Sequence, residues 1–188
     1  MVFLLNSLTG LGTILDSRGS LTKPMRSIFI PLILLLFIPF LGFVPGPFKW
    51  VNTQENSLDK ELILELVNNA RKKGCQCGES YFYQAPPLKW NEKLEKASFL
   101  HSKDMKENKY ISHTSPDGSK VTDRLDRIGY RWTAYGENIA QGQGSEAEVV
   151  QGWLKSPGHC RNIMNKSYKE MGVGRFGDYW TLTFGTSK

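Results

Sequence analysis

An α+β fold is what this 188-residue chain predicts, on three observations. Apolar residues recur at helical spacing through the first part of the chain from Ser57. Strand-like alternation appears only at the C-terminal end. The composition, 40% hydrophobic and 22% charged, is that of an ordinary globular domain, and helices early with strands late place it in the α+β class.

The segment Ser57 to Gly74 carries Leu58, Leu62, Leu66 and Ala70 at four-residue steps, which predicts a helix with one buried stripe. Asn56 or Ser57 is placed to cap its first amides, Asp59 suits its N-terminal end, and Gly74 supplies the left-handed stop. Cys75 to Pro87 reads as a loop. Asn91 then caps a second helix through Leu94, Ala97, His101 and Met105, ending at Lys109 or Tyr110. A short third helix is expected over Thr122 to Ile128. Ser145 and Glu148 form a capping box for a fourth helix, which Pro157 terminates after Trp153 and Leu154. Met171 to Phe176 and Tyr179 to Phe184 are strand candidates around the hairpin turn Gly177-Asp178. Alternation on the second of them predicts that Trp180, Leu182 and Phe184 form the buried face. The tryptophans read as core residues.

Upstream, Ile28 to Val44 is an uncharged apolar run behind Arg26, and it reads as a secretory signal peptide or an uncleaved membrane anchor within residues 25–46. With Met25 as start, residues 1–24 are a misassigned or disordered extension. Residues 47–56 are a linker and 57–188 the domain. The expected location is extracytoplasmic: secreted, or anchored through residues 28–44.

Lys and Arg number 24 against 18 Asp and Glu. The excess is spread along the chain, and its densest cluster, Arg71-Lys72-Lys73, falls at a helix end where cations complement the dipole. With no basic stripe and no reader motif, nucleic-acid binding is excluded as the function.

Outside the cytoplasm Cys75, Cys77 and Cys160 allow one bridge and leave one thiol. Cys75 and Cys77 are too close in sequence to bridge each other comfortably, so Cys160 pairs with Cys75 or Cys77. Three loop or element-end positions carry the candidate chemistry: His113 in YISHTSPDG, Glu137 in YGENIAQG and His159 in SPGHCRNIM. Two imidazoles and a carboxylate can hold zinc with an open position, or act as base and orienter for a water. His101, on the apolar stripe of the second helix, reads as a satisfied core histidine instead.

Taken together, PPLKWNEKLEKASFLHSKDM, YISHTSPDG, RLDRIGYRWTAYGENIA, VVQGWLKSPGHCRNIMN and MGVGRFGDYWTLTFG resemble, in order, the CAP superfamily of cysteine-rich secretory, antigen 5 and pathogenesis-related proteins, in its bacterial secreted branch. The resemblance implies an α-β-α sandwich with a small antiparallel sheet between helices. It also implies a cleft that in many relatives is lined by two His and two acidic residues able to bind a divalent metal. His113, Glu137 and His159 match three of these positions. The fourth is Ser156, not an acid.

The implied cleft is thus His113, Glu137, Ser156 and His159, with His113 and His159 as candidate ligands for Zn2+ or another divalent cation. The function expected is an extracytoplasmic binding module for a cell-envelope or extracellular lipid, glycan or peptide. The alternatives are a metal-assisted hydrolase with Glu137 as its catalytic base, and a structural surface domain without cleft chemistry.

Overall fold

The computed structural model describes residues 56–188. The extension 1–24, the apolar run 28–44 and the linker up to residue 55 lie outside the described residues. Among the described residues no helix is long and apolar enough to cross a membrane.

The elements run α1 (Lys60–Lys73), β1 (Cys75–Cys77), β2 (Ser80–Phe82), β3 (Lys89–Trp90), α2 (Glu92–Glu107), α3 (Val121–Arg127), β4 (Trp132–Gln141), α4 (Glu146–Lys155), α5 (Pro157–Met164), β5 (Glu170–Phe176) and β6 (Tyr179–Ser187). The order of the main sheet is β3-β5-β6-β4. It is mixed: β5, β6 and β4 are antiparallel, while the two-residue β3 runs parallel to β5. The expected antiparallel sheet is therefore present with one short parallel strand added at its margin.

One face of the sheet offers Met171, Val173, Trp180, Leu182 and Phe184 to a layer of α1, α4 and α5, which contributes Ile63, Val67, Val149, Val150, Trp153, Ile163 and Met164 to the main core. The other face is covered by α2 and carries small residues. Gly172 and Gly174 bring the sheet up to the α2 backbone. Ser98 Oγ donates to Gly172 O at 3.0 Å and lies 2.7 Å from Thr183 Oγ1; Ser102 Oγ lies 2.9 Å from both Gly174 O and Thr181 Oγ1. Both faces of β6 are consequently buried, not one as its alternation suggested, because its threonines are satisfied by serines across the interface.

Local sequence accounts for the helix ends. Asn91 Oδ1 accepts from the amides of Lys93 and Leu94 and starts α2. Asp59, not Asn56 or Ser57, caps α1 through the amide of Leu62, and Gly74 follows that helix at positive φ. Asn56 is drawn away to Glu95, Val173 O and the amide of Arg175. The buried face of α1 is Ile63, Val67 and Arg71, flanked by Leu58, Leu66 and Ala70, whereas Leu62 lies exposed. Pro157 does more than stop α4: its fixed φ makes it the first residue of α5, a helix absent from the expectation. The β1–β2 hairpin and β4 are likewise absent from it.

Arg71 is the sharpest departure from the composition reading. It is fully buried, donating to Pro86 O (2.7 Å), Ile163 O (2.6 Å) and Asn165 O (2.9 Å), and burial lowers its pKa to about 10. It joins the end of α1 to the last carbonyls of α5, where a cation is favoured. The disulfide pairs Cys77 with Cys160, fastening β1 to α5, and leaves Cys75 free. Three side chains hold α4, α5 and the following loop to the outer rim of β4: Tyr168 Oη donates to Tyr135 O (2.9 Å), Asn162 Nδ2 to Glu137 O (3.1 Å) and Trp153 Nε1 to Ile139 O (3.3 Å).

Candidate functional site

The site gathers around Glu137, which stands in the middle of β4 opposite Thr183, not in a loop as expected. Its side chain is only 4% exposed. Arg124 from α3 reaches across with Nη2 2.9 Å from Glu137 Oε2 and 3.1 Å from Oε1. His113, in the loop before α3, places Nδ1 2.8 Å from Oε1. The carboxylate accepts, so this nitrogen carries the hydrogen and donates it. Arg124 also donates to His113 O (3.0 Å) and Ser119 O (3.3 Å), so one guanidinium fixes both the carboxylate and the loop that presents the histidine.

Burial alone would raise the Glu137 pKa; the hydrogen bond from His113 and the charge of Arg124 outweigh it, and the group is held below the usual carboxylate range. An ionised carboxylate so fully engaged is a poor proton acceptor. His101 completes the buried side of the cluster. Its Nε2 donates to Ser112 O at 3.0 Å and lies 3.9 Å from Glu137 Oε1, while its Nδ1 finds no partner among the described residues. Burial dominates over the Glu137 charge and pushes its pKa down, so it is the expected core histidine, with one nitrogen left unsatisfied.

His159 belongs to α5, on the opposite layer. Its backbone carbonyl accepts from Asn138 Nδ2 at 3.1 Å, and Asn162 ties Asn138 to the same helix. Burial first, and then the charge of His113, keep its ring pKa low. Ser156 joins α4 to α5 and its hydroxyl makes no capping bond. His113, Glu137 and Arg124 are thus in direct contact, with His159 and Ser156 presented separately from the α4–α5 junction. Among the described residues, no serine hydroxyl hydrogen-bonds a histidine ring, so no nucleophile–base pair is formed. The residue that sequence reasoning missed is Arg124. Nothing in the local pattern VTDRLDR separates it from the exposed Arg127; only the return of β4 beside α3 does.

As a zinc centre the set of two imidazoles and Glu137 does not fit. Both carboxylate oxygens face a guanidinium that a divalent cation would have to displace, and His113 Nδ1 is committed to the carboxylate. That leaves His113 Nε2 and His159, fewer than the three protein ligands of a catalytic zinc site.

The sequence signature of the cysteine-rich secretory protein family, CAP, matches residues 64–182. The chain belongs to the CAP family. Its domain is 36% identical over 124 residues to the Bacillus subtilis protein YkwD, covering 65% of this chain and 45% of that one. It is 35% identical over 136 residues to the Bacillus subtilis membrane protein YlbC, covering 72% and 36%. A crystal structure of an extracellular SCP-domain protein from Bacillus anthracis superposes with a TM-score of 0.61 at 33% identity, over 68% of this chain and 40% of that one. An outer surface protein of Borrelia burgdorferi shares the fold, with a TM-score of 0.59 at 23% identity over 68% and 92%. The CAP domain therefore spans less than half the length of its Bacillus relatives. The Bacillus anthracis relative is extracellular, the Borrelia one an outer surface protein and YlbC a membrane protein, and the mixed sheet between two helical layers is the SCP-domain fold.

The buried groups of the site set an acid limit on the CAP domain. The folded pKa values of His101 and His159 lie below 6.5, so their contribution is complete above pH about 6.5 and is lost as pH falls through the folded values. The folded Glu137 pKa lies below 4.5, so its contribution is complete above about 4.5 and is lost as pH falls further. Urea midpoints measured from pH 8 to pH 3 are expected to fall in two stages, with the upper stage reduced in His101→Gln. A flat midpoint between pH 6.5 and 5 would contradict the burial of neutral imidazoles.

Proposed function

We propose that this CAP domain is an extracytoplasmic binding module whose recognition surface is formed by His113, His159 and Ser156, with Glu137 as a positioning residue instead of a catalytic base. The observation that carries this reading is the saturation of Glu137 by Arg124 and His113. The anionic and cationic charges of the cluster offset each other at short range. What remains outward is a hydrogen-bonding surface: an oriented imidazole of which more than half is exposed (55%), a second imidazole of lowered pKa, and a free hydroxyl. Such a surface suits an uncharged, hydroxyl- or amide-rich ligand, a glycan or extended peptide of the cell envelope, better than a phosphate or a metal. Export or anchoring through residues 28–44 would bring the domain to that ligand.

The test is titration of the folded domain with envelope glycan and peptide fragments, followed by NMR. Saturable binding is expected, weakened about five- to tenfold in His113→Ala and again in His159→Ala, as for loss of one hydrogen bond each. Binding that both variants retain unchanged would remove the cluster from recognition. Turnover of a bound peptide or glycan would reject the non-catalytic reading. Zinc calorimetry is expected to show no micromolar site; micromolar affinity lost in both alanine variants would restore the metal.

A further inference from the structure

Apart from that cluster, the described residues bring three sulfur side chains together in one group. Cys75 and Cys77 sit two apart on β1 and so point to the same side of the strand, while Gln76 between them is exposed. Both face Cys160 on α5. Cys77 bridges it, and the free Sγ of Cys75 lies 3.3 Å from Sγ of Cys160, a van der Waals contact. All three sulfurs lie within 4.8 Å of one another. Access is graded. Cys77 and Cys160 are 1% and 0% exposed, whereas Cys75 is only partly buried. Solvent species therefore meet the third sulfur before they meet the bridge.

We propose that the three cysteines form a thiol–disulfide exchange site in which Cys75 is the solvent-side nucleophile and a low-molecular-weight thiol is the external co-reactant. In the first step the Cys75 thiolate turns into line and attacks Sγ of Cys160. The Cys75–Cys160 bond forms as the Cys77–Cys160 bond breaks, and Cys77 leaves as a thiolate that takes up the proton Cys75 gave to solvent; nothing is oxidised or reduced overall. In the second step an external thiolate attacks Sγ of Cys75 in the relocated bridge, forming a mixed disulfide at Cys75 and releasing Cys160 as a thiolate. A second external thiol resolves the mixed disulfide. Two external thiols are then oxidised to their disulfide while the protein bridge is reduced to two thiols. Burial pushes the Cys75 thiol up, so the resting form keeps it protonated beside the Cys77–Cys160 bridge.

The experiment uses the full oxidised chain at pH 8.5. Brief iodoacetamide labelling and non-reducing peptide mapping, with fragment spectra resolving Cys75 from Cys77 across Gln76, is expected to find label on both. Reduction of the bridge by glutathione is expected to slow at least tenfold in Cys75→Ser and in Cys75→Ala. Cys77→Ser should still yield a bridged protein, through Cys75 and Cys160. Label confined to Cys75, wild-type reduction rates in both Cys75 variants, or an unbridged Cys77→Ser would each overturn the proposal.

Discussion

Glu137→Ala is expected to destabilise the CAP domain by about 3–5 kcal/mol, because it leaves the Arg124 guanidinium buried without its counter-charge. Arg124 is 8% exposed at its side chain and Glu137 4%, so solvent cannot replace the lost partner. The substitution also frees His113, whose ring hydrogen-bonds that carboxylate alone among the described residues, and loosens the loop that Arg124 holds through His113 O and Ser119 O. Arg124→Leu should cost a similar amount by stranding the carboxylate. The double variant Arg124→Leu with Glu137→Ala should cost clearly less than the two singles added, since no unpaired charge is left. Urea denaturation of the four proteins at pH 7.5 measures all of this. Single-variant costs below about 1 kcal/mol would mean the pair is screened as a surface pair is.

The second large effect is steric. A methyl group at Gly174 would fall within the backbone of Phe99 and Ser98, and one at Gly172 within that of Leu94 and Glu95. Backbone atoms of a helix cannot rotate aside as a side chain can, so α2 must lift from the sheet. Doing so breaks the bonds from Ser98 to Gly172 O and from Ser102 to Gly174 O. Gly174→Ala is expected to cost at least about 3 kcal/mol, the upper end of ordinary overpacking, and the pair Gly172→Ala with Gly174→Ala to abolish cooperative folding. Gly152→Ala, at a helical glycine with open space around it, is the control and should be neutral or slightly stabilising. Thermal melts of the three variants would reveal a loss comparable to the control if α2 could simply slide.

The contrast between those glycines and the rest of the chain explains what could be read in advance. Helix α2 was legible because Asn91 caps it and Leu94, Ala97, His101 and Met105 keep helical spacing. The β5–β6 hairpin was legible through Gly177-Asp178 and the alternation on either side. Strand β4 was not, since its Gly136-Glu137-Asn138 centre breaks the apolar pattern. Those residues are buried because Arg124 and Asn162 approach from elsewhere in the chain, which no local pattern reports. The α1 stripe was misplaced by one position for a related reason: Arg71, a cation by composition, occupies a core position by donating to three carbonyls. At the candidate site, the contact of His113 and Glu137 with each other and with Arg124, and the place of His159 on the opposite layer, depend on the sheet and not on any local pattern.

The side chains that reach the rim of β4 also bear on how copies of this domain meet one another. As a ten-residue outer strand, β4 would ordinarily offer a ladder on which a foreign strand could grow. Its outward carbonyls at Tyr135, Glu137 and Ile139 are already accepting from Tyr168, Asn162 and Trp153. At the other margin β3 is two residues long, too short to template a partner. Edge-to-edge strand addition is therefore disfavoured at both ends of the main sheet, and copies of the domain can remain dispersed at high concentration without relying on charge repulsion alone.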